Sequence, residues 1–160
     1  MTGPVLVTGA AGQLGTVIVQ TFDELGVVAP SRADLDITDR AAVERAVAIA
    51  RPRIVVNCAA WNDVDGAESA PVAALEANAF AVAGLARAAA ACGATLVTYS
   101  TDFVFDGNAT TPYTEADAPN PRSVYAASKL LGRYRAALDV RRTVTADLAR
   151  IGAASPTSKK

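Results

Sequence analysis

Histidine is absent from this 160-residue chain. That removes the Ser–His–Asp type of nucleophilic centre and most zinc sites, which need imidazole for proton transfer or ligation. Cysteine is scarce: Cys58 and Cys92 are the only two. They lack the close spacing of a metal-binding pair and lie in apolar surroundings, so both are expected as buried, reduced thiols. No charge of one sign dominates, with 15 Lys and Arg against 16 Asp and Glu. A basic face for nucleic acid and a charged tail for a partner are therefore not expected, and the terminal Lys159–Lys160 pair reads as solvated. No apolar run reads as long enough for a membrane span, and no charged leader stands before Gly9. The expectation is a soluble, cytoplasmic protein without nucleic-acid or membrane partners.

What the chain does have is apolar residues, 51% of the total, enough for one domain with a real core. Their pattern alternates between two periods. Pro4–Thr8 (PVLVT) is a short apolar run ending at a glycine, as a buried strand does. Gln13–Leu25 has helical spacing, with Leu14, Val17, Ile18, Thr21, Phe22 and Leu25 on one face, and Gly26 ends it. Val27–Ala29 reads as a second strand. A helix over Arg40–Ala50 is expected, capped by Thr38 or Asp39 and supported by Glu44. Arg53–Cys58 is a third strand. Pro71 opens a long Ala-rich helix reaching Ala91, closed by Gly93. Ala94–Tyr99 is a fourth strand, followed by a polar loop from Ser100 to Arg122 and a helix over Ser123–Leu138. This order predicts an α/β fold, a doubly wound parallel sheet whose ligand crevice lies at the carboxyl ends of the strands. The domain is expected over 1–150, with a polar tail over 151–160.

The loop after the first strand is Gly9-Ala10-Ala11-Gly12-Gln13-Leu14-Gly15. The spacing is GxxGxxG, and each glycine has a physical reason. Gly9 makes the tight turn, Gly12 leaves room for a pyrophosphate, and Gly15 lets helix and strand approach. The helix that follows offers free N–H groups and the positive end of its dipole to phosphates. After the second strand stand Ser31 and Arg32, with no acid before Asp34. An arginine there suits the 2′-phosphate of NADPH, whereas an acid would suit the ribose of NADH. Asp36 and Ile37 are placed to cover an adenine.

A second constellation lies about a hundred residues on. Tyr125 and Lys129 are four apart, so on a helix they share a face. A nearby ammonium favours the phenolate and is expected to lower the tyrosine pKa, tuning it to protonate a carbonyl oxygen as hydride reaches the carbon. Thr101 follows the fourth strand, where a hydroxyl can hold that carbonyl.

Together TGAAGQLG, LDITD, NCAAWNDVDGAES, YSTDFVFDG and VYAASKLLG resemble extended short-chain dehydrogenases/reductases, and more closely the dTDP-4-dehydrorhamnose reductase family, over about residues 3–132. The resemblance implies NADPH-dependent reduction of the 4-keto group of a nucleotide-activated 6-deoxy sugar. It implies a pyrophosphate turn at Gly9, Gly12 and Gly15 with Gln13 and Leu14 at its helix start, and cofactor-cleft positions at Ala59 and Ala60. Thr101 would position the sugar carbonyl, Tyr125 would give the proton, and Lys129 would bind the nicotinamide ribose. Asp102, Phe103 and Val104 would shape the substrate side. Asp65 and Glu68 match a family loop pattern but read best as loop structure and capping.

The chain departs from the family at Phe103, commonly tyrosine, at Ala126, commonly glycine, and at Arg133, where an acid is usual. It also carries little of the region that supplies most of the family's sugar pocket. Asp147–Ala153, which includes Arg150, reads as a remnant of the next strand. An exposed sheet edge and helix face would follow, and with them self-association or a partner chain. The same branch also resembles the regulatory subunit of methionine adenosyltransferase. This implies an alternative, a non-catalytic dinucleotide-binding module or an inactive fragment.

Overall fold

In the computed structural model, residues 3–139 and 143–146 are described. Five parallel strands form one sheet: β1 (Val5–Thr8), β2 (Val27–Val28), β3 (Ile54–Asn57), β4 (Thr95–Tyr99) and β5 (Thr143–Ala146). Their order is β2-β1-β3-β4-β5, so the chain leaves β1 towards one edge and returns on its other side at β3. Such a reversal opens a crevice beyond the carboxyl ends of the two central strands. The fifth strand lies at Thr143–Ala146, ahead of the expected remnant. Asp147–Ala153, Arg150 and the 151–160 tail lie outside the described residues.

The strands are short and apolar because both faces are covered. Leu6, Val55 and Leu96 point to one side, where they pack with α2 (Arg40–Ala50), α5 (Ala81–Cys92) and Ala136 of α6 (Val124–Asp139). Val5, Val7 and Val56 point to the other, towards α1 (Gln13–Thr21). Alternate residues of β1, β3 and β4 thus feed two separate cores, the mark of a doubly wound sheet.

Local signals behave as expected in α2, whose cap is Asp39; its carboxylate accepts from Ala42 N at 2.9 Å. Glu44 pairs with Arg40 one turn back at 2.7 Å. Elsewhere the structure corrects the sequence reading. Helix α1 ends at Thr21 and gives way to a 3₁₀ turn over Asp23–Leu25, although Gly26, at φ +72°, does close the run. Its inner face is Gly15, Ile18, Val19 and Phe22, while Val17 and Leu25 are 55% and 45% exposed. The cause is Gly15: it must face the first turn, and that sets the rotation of the whole helix.

Residues 64–69, expected as loop, form α3 (Val64–Ser69), with Asp63 capping Gly66 N at 2.9 Å. The Ala-rich stretch is three segments: α4 (Pro71–Leu75), a π-helical turn over Glu76–Phe80, and α5. Contrary to expectation, Pro71–Cys92 is long and apolar enough to cross a membrane by length and composition, but 61% of its apolar window is buried inside the protein. Both thiols are free, yet neither is fully buried: Cys58 is half-buried and Cys92 is exposed at the last turn of α5.

Candidate active site

The first turn is built from the backbone outward. Gly9 has φ +68°, and a Cβ there would meet Ala59 N at 2.6 Å, because β1 and β3 deliver their ends side by side. A Cβ on Gly15 would overlap the Gly9 carbonyl oxygen. Gly12 is different: a Cβ would touch only that oxygen, at 3.3 Å, so the protein itself asks little of this position. Beneath the turn, buried Thr8 donates to Asn57 Oδ1 at 2.6 Å, and the same oxygen accepts from Ala59 N at 3.2 Å. No side chain caps α1, which therefore presents its first amides to the cleft.

Two adjoining clefts of about 330 Å³ each run across the strand ends. They share Gly12, Cys58, Ala59, Ala60 and Asn62. The outer cleft reaches Arg32, Asp36 and Ile37. Arg32 is 91% exposed at the rim and 3.8 Å from Asp36. Asp36 accepts from the Thr38 backbone and hydroxyl, which together with Arg32 hold its pKa below the ordinary value. Ser31 does not line the cleft; its hydroxyl donates to Asp34 at 2.6 Å. The inner cleft runs past Gln13, Leu14 and Gly15 to Tyr99, Ser100, Tyr125 and Lys129.

The helix carrying Tyr125 and Lys129 is fixed from several sides. Tyr125 packs with Ala67, Ala74 and Trp61, and its carbonyl accepts from Ser128 Oγ at 2.7 Å. Ser128 in turn accepts from Asn78 Nδ2 at 2.9 Å, and Asn78 pairs in both directions with the Trp61 backbone. Asn78 sits in the π-turn, and Gly132 lies so close to its carbonyl that a Cβ would overlap it.

Burial pushes the Tyr125 phenol above its ordinary value; the Thr101 hydroxyl lowers it and the Asp102 charge raises it again. Lys129 is not among the groups that shift it, so the expected lowering by the ammonium is not found and burial sets the direction. Burial brings Lys129 down to about 8. Thr101 is 7% exposed, donates to Asp102 at 3.2 Å and accepts from Phe103 N at 3.3 Å.

On the side away from the glycine turn, Asp102 and half-exposed Phe103 line a third cleft of about 450 Å³ with Phe105, Tyr113 and Arg122. Phe103 meets the Tyr125 ring edge-on at 5.9 Å. Val104 does not line it; the residue is fully buried behind it. Sequence reasoning missed Thr8, Asn57, Asn78 and Ser128, all buried. One visible signal was a polar residue closing an otherwise apolar strand, as at Thr8 and Asn57.

A glycine turn at the reversal of a parallel sheet, joined by a continuous crevice to a Tyr/Lys pair, is the architecture of the extended short-chain dehydrogenases/reductases. Within that class the chain belongs to the family described as RmlD substrate binding domain, whose model matches residues 2–150. It is 49% identical over 137 residues to dTDP-4-dehydrorhamnose reductase of Streptomyces griseus, covering 84% of this chain and 45% of that protein. It is 38% identical to methionine adenosyltransferase 2 subunit beta of Rattus norvegicus, covering 80% and 41%. Among solved structures it resembles dTDP-4-dehydrorhamnose reductase from Bacillus anthracis in complex with NADP, with TM-score 0.88 and 34% identity over 92% of this chain and 53% of that one. The chain spans about half the length of the curated relatives it matches.

Proposed function

We propose that this protein reduces the 4-keto group of a nucleotide-activated 6-deoxy sugar with NADPH; relatives carry the name dTDP-4-dehydrorhamnose reductase, and one similar solved structure is a complex with NADP. The observation that carries the reading is the inner cleft, which brings Gly12–Gly15 and the Tyr125/Lys129 pair into one continuous space.

The residues present fit the dinucleotide. Gly12 leaves space that the fold does not need, and the uncapped start of α1 gives the amides of Gln13 and Leu14 to a pyrophosphate. Gly9 and Gly15 hold that turn in shape. Arg32 suits a 2′-phosphate, with Ser31 orienting its loop through Asp34. Asp36 and Ile37 flank an adenine, and Ala59 and Ala60 form an apolar wall. NADH is the alternative cofactor, and Arg32 decides between the two.

Bound NADPH supplies a hydride to the carbonyl carbon. Lys129 holds the nicotinamide ribose, and Thr101 orients the carbonyl oxygen. Tyr125, protonated at neutral pH as any phenol is and held so by burial, gives that oxygen its proton. Lys129 then stabilises the phenolate left behind. Asp102 and Phe103 face the sugar, and Val104 supports them from the core.

The test is NADPH oxidation in the presence of the keto-sugar nucleotide. Turnover that falls at least ~100-fold in Tyr125→Phe is expected for a lost general acid. Equal rates in both chains would sink the reading. A second reading rests on the likeness to methionine adenosyltransferase 2 subunit beta: a dinucleotide-binding subunit without turnover. Saturable NADPH binding with no oxidation of NADPH would favour it.

A further inference from the structure

The first turn of α6 is tied down by a residue from another element. Its first amide, Val124 N, donates to Glu68 Oε1 of α3 at 2.7 Å, across 56 positions of sequence. The helix already has its own local cap: Ser123 Oγ accepts from Ala126 N at 3.2 Å, and Ser123 O accepts from Ala127 N at 2.9 Å. Glu68 therefore takes an amide that the local cap leaves over. Tyr125 is the next residue after the one Glu68 holds. The neighbouring contacts run in the same direction, since Ala67 and Val64 of α3 pack in one cluster with Tyr125 and Val124.

We infer that Glu68 is a positioning residue for Tyr125: its carboxylate fixes the first turn of α6 against α3 and so sets where the phenol stands in the cleft. The inference rests on the reading of Tyr125 as proton donor and adds the device that holds it. An acceptor atom at this position is what counts, not its charge. Glutamine keeps the acceptor, whereas alanine frees Val124 N and lets the first turn fray towards water.

The test reads the phenol itself. Alkaline titration of tyrosinate absorbance in the wild-type chain, minus that of Tyr125→Phe, isolates Tyr125 from the other three tyrosines. The titratable groups facing it are Asp102 and, in the same cleft, Lys129, Tyr99 and Cys58; all stay in every variant. Glu68→Ala is expected to lower the Tyr125 midpoint towards the free-phenol value near ~10 as the ring gains water. Glu68→Gln is expected to leave it raised.

An unmoved midpoint in Glu68→Ala overturns the inference, and so does an equal shift in both variants, which would make charge the cause. If Glu68→Ala does not fold, Glu68→Gln still decides: an altered midpoint there contradicts the cap. Failure of the underlying reading shows separately, as turnover that survives Tyr125→Phe.

Discussion

On the proposed function, Lys129 serves a ligand at the expense of the fold. Burial lowers its pKa from 10.5 to about 8, so below that value the folded protein carries an ammonium in a poorly solvated place. The destabilisation is complete below pH ~8 and fades as pH rises towards the unfolded value near ~10.5, because there the unfolded chain also gives up the proton. Lys129→Met is therefore expected to melt at a higher temperature than wild type at neutral pH, with the gap narrowing between those limits. Thermal melts across that range check it; a gap independent of pH would contradict the assignment.

The glycines make a second residue-scale prediction. Gly9→Ala and Gly15→Ala, each driving a Cβ into backbone, should destabilise by about 3 kcal/mol. Gly12→Ala should stay within about 1 kcal/mol of wild type in denaturant melts and yet weaken NADPH binding. Loss of stability without loss of binding at Gly12 would reverse its assigned role. Gly12 and Gly15 were legible in the sequence because what each does is local to one turn, and Gly9 because its positive φ belongs to that turn; its close approach to Ala59 was not legible. Thr8 and Asn57 were not, since their bond joins residues 49 positions apart.

Among the elements, those whose ends are set by their own residues were read correctly: α2 with Asp39, and the strands bounded by glycine, proline or polar residues. Helix α1 was read with its face turned, right at Ile18 and Phe22 but wrong at Val17 and Leu25, because apolar spacing alone admits two rotations and only the contact at Gly15 chooses between them. The π-turn in the Ala-rich helix has no local sequence mark. It is held by Asn78, whose amide reaches Trp61 and Ser128. Asn78→Leu should cost about 3 kcal/mol, because it strands buried backbone and hydroxyl groups at once. Urea melts would measure it, and a cost near zero would mean that the network does not fasten α6.

The loop after β4, read as merely polar, is ordered around Asp106. Asn108 N, the Tyr113 hydroxyl and the Asn120 amide all donate to this carboxylate, holding its pKa near 2. Asp106→Ala is expected to make this loop an early cleavage site in limited proteolysis.

At the scale of the molecule, the described segments at the carboxyl ends of β1, β2, β3 and β4 converge on one crevice. The chain's order of strands and helices was enough to predict that convergence. Self-association stays a proposal, supported by the exposure of Val72, Phe80, Tyr134 and Leu138 at 68%, 49%, 50% and 77%. Light scattering should give a mass above 16.4 kDa; a clean monomer would contradict it.

On the proposed function, the crevice holds NADPH from Arg32 at one end to Lys129 at the other, and everything else assigned to the site depends on that. Calorimetric titration of the folded chain with NADPH and with NADH puts it to the test. One saturable site that prefers NADPH is expected, with that preference lost in Arg32→Ala. No binding of either nucleotide would contradict it.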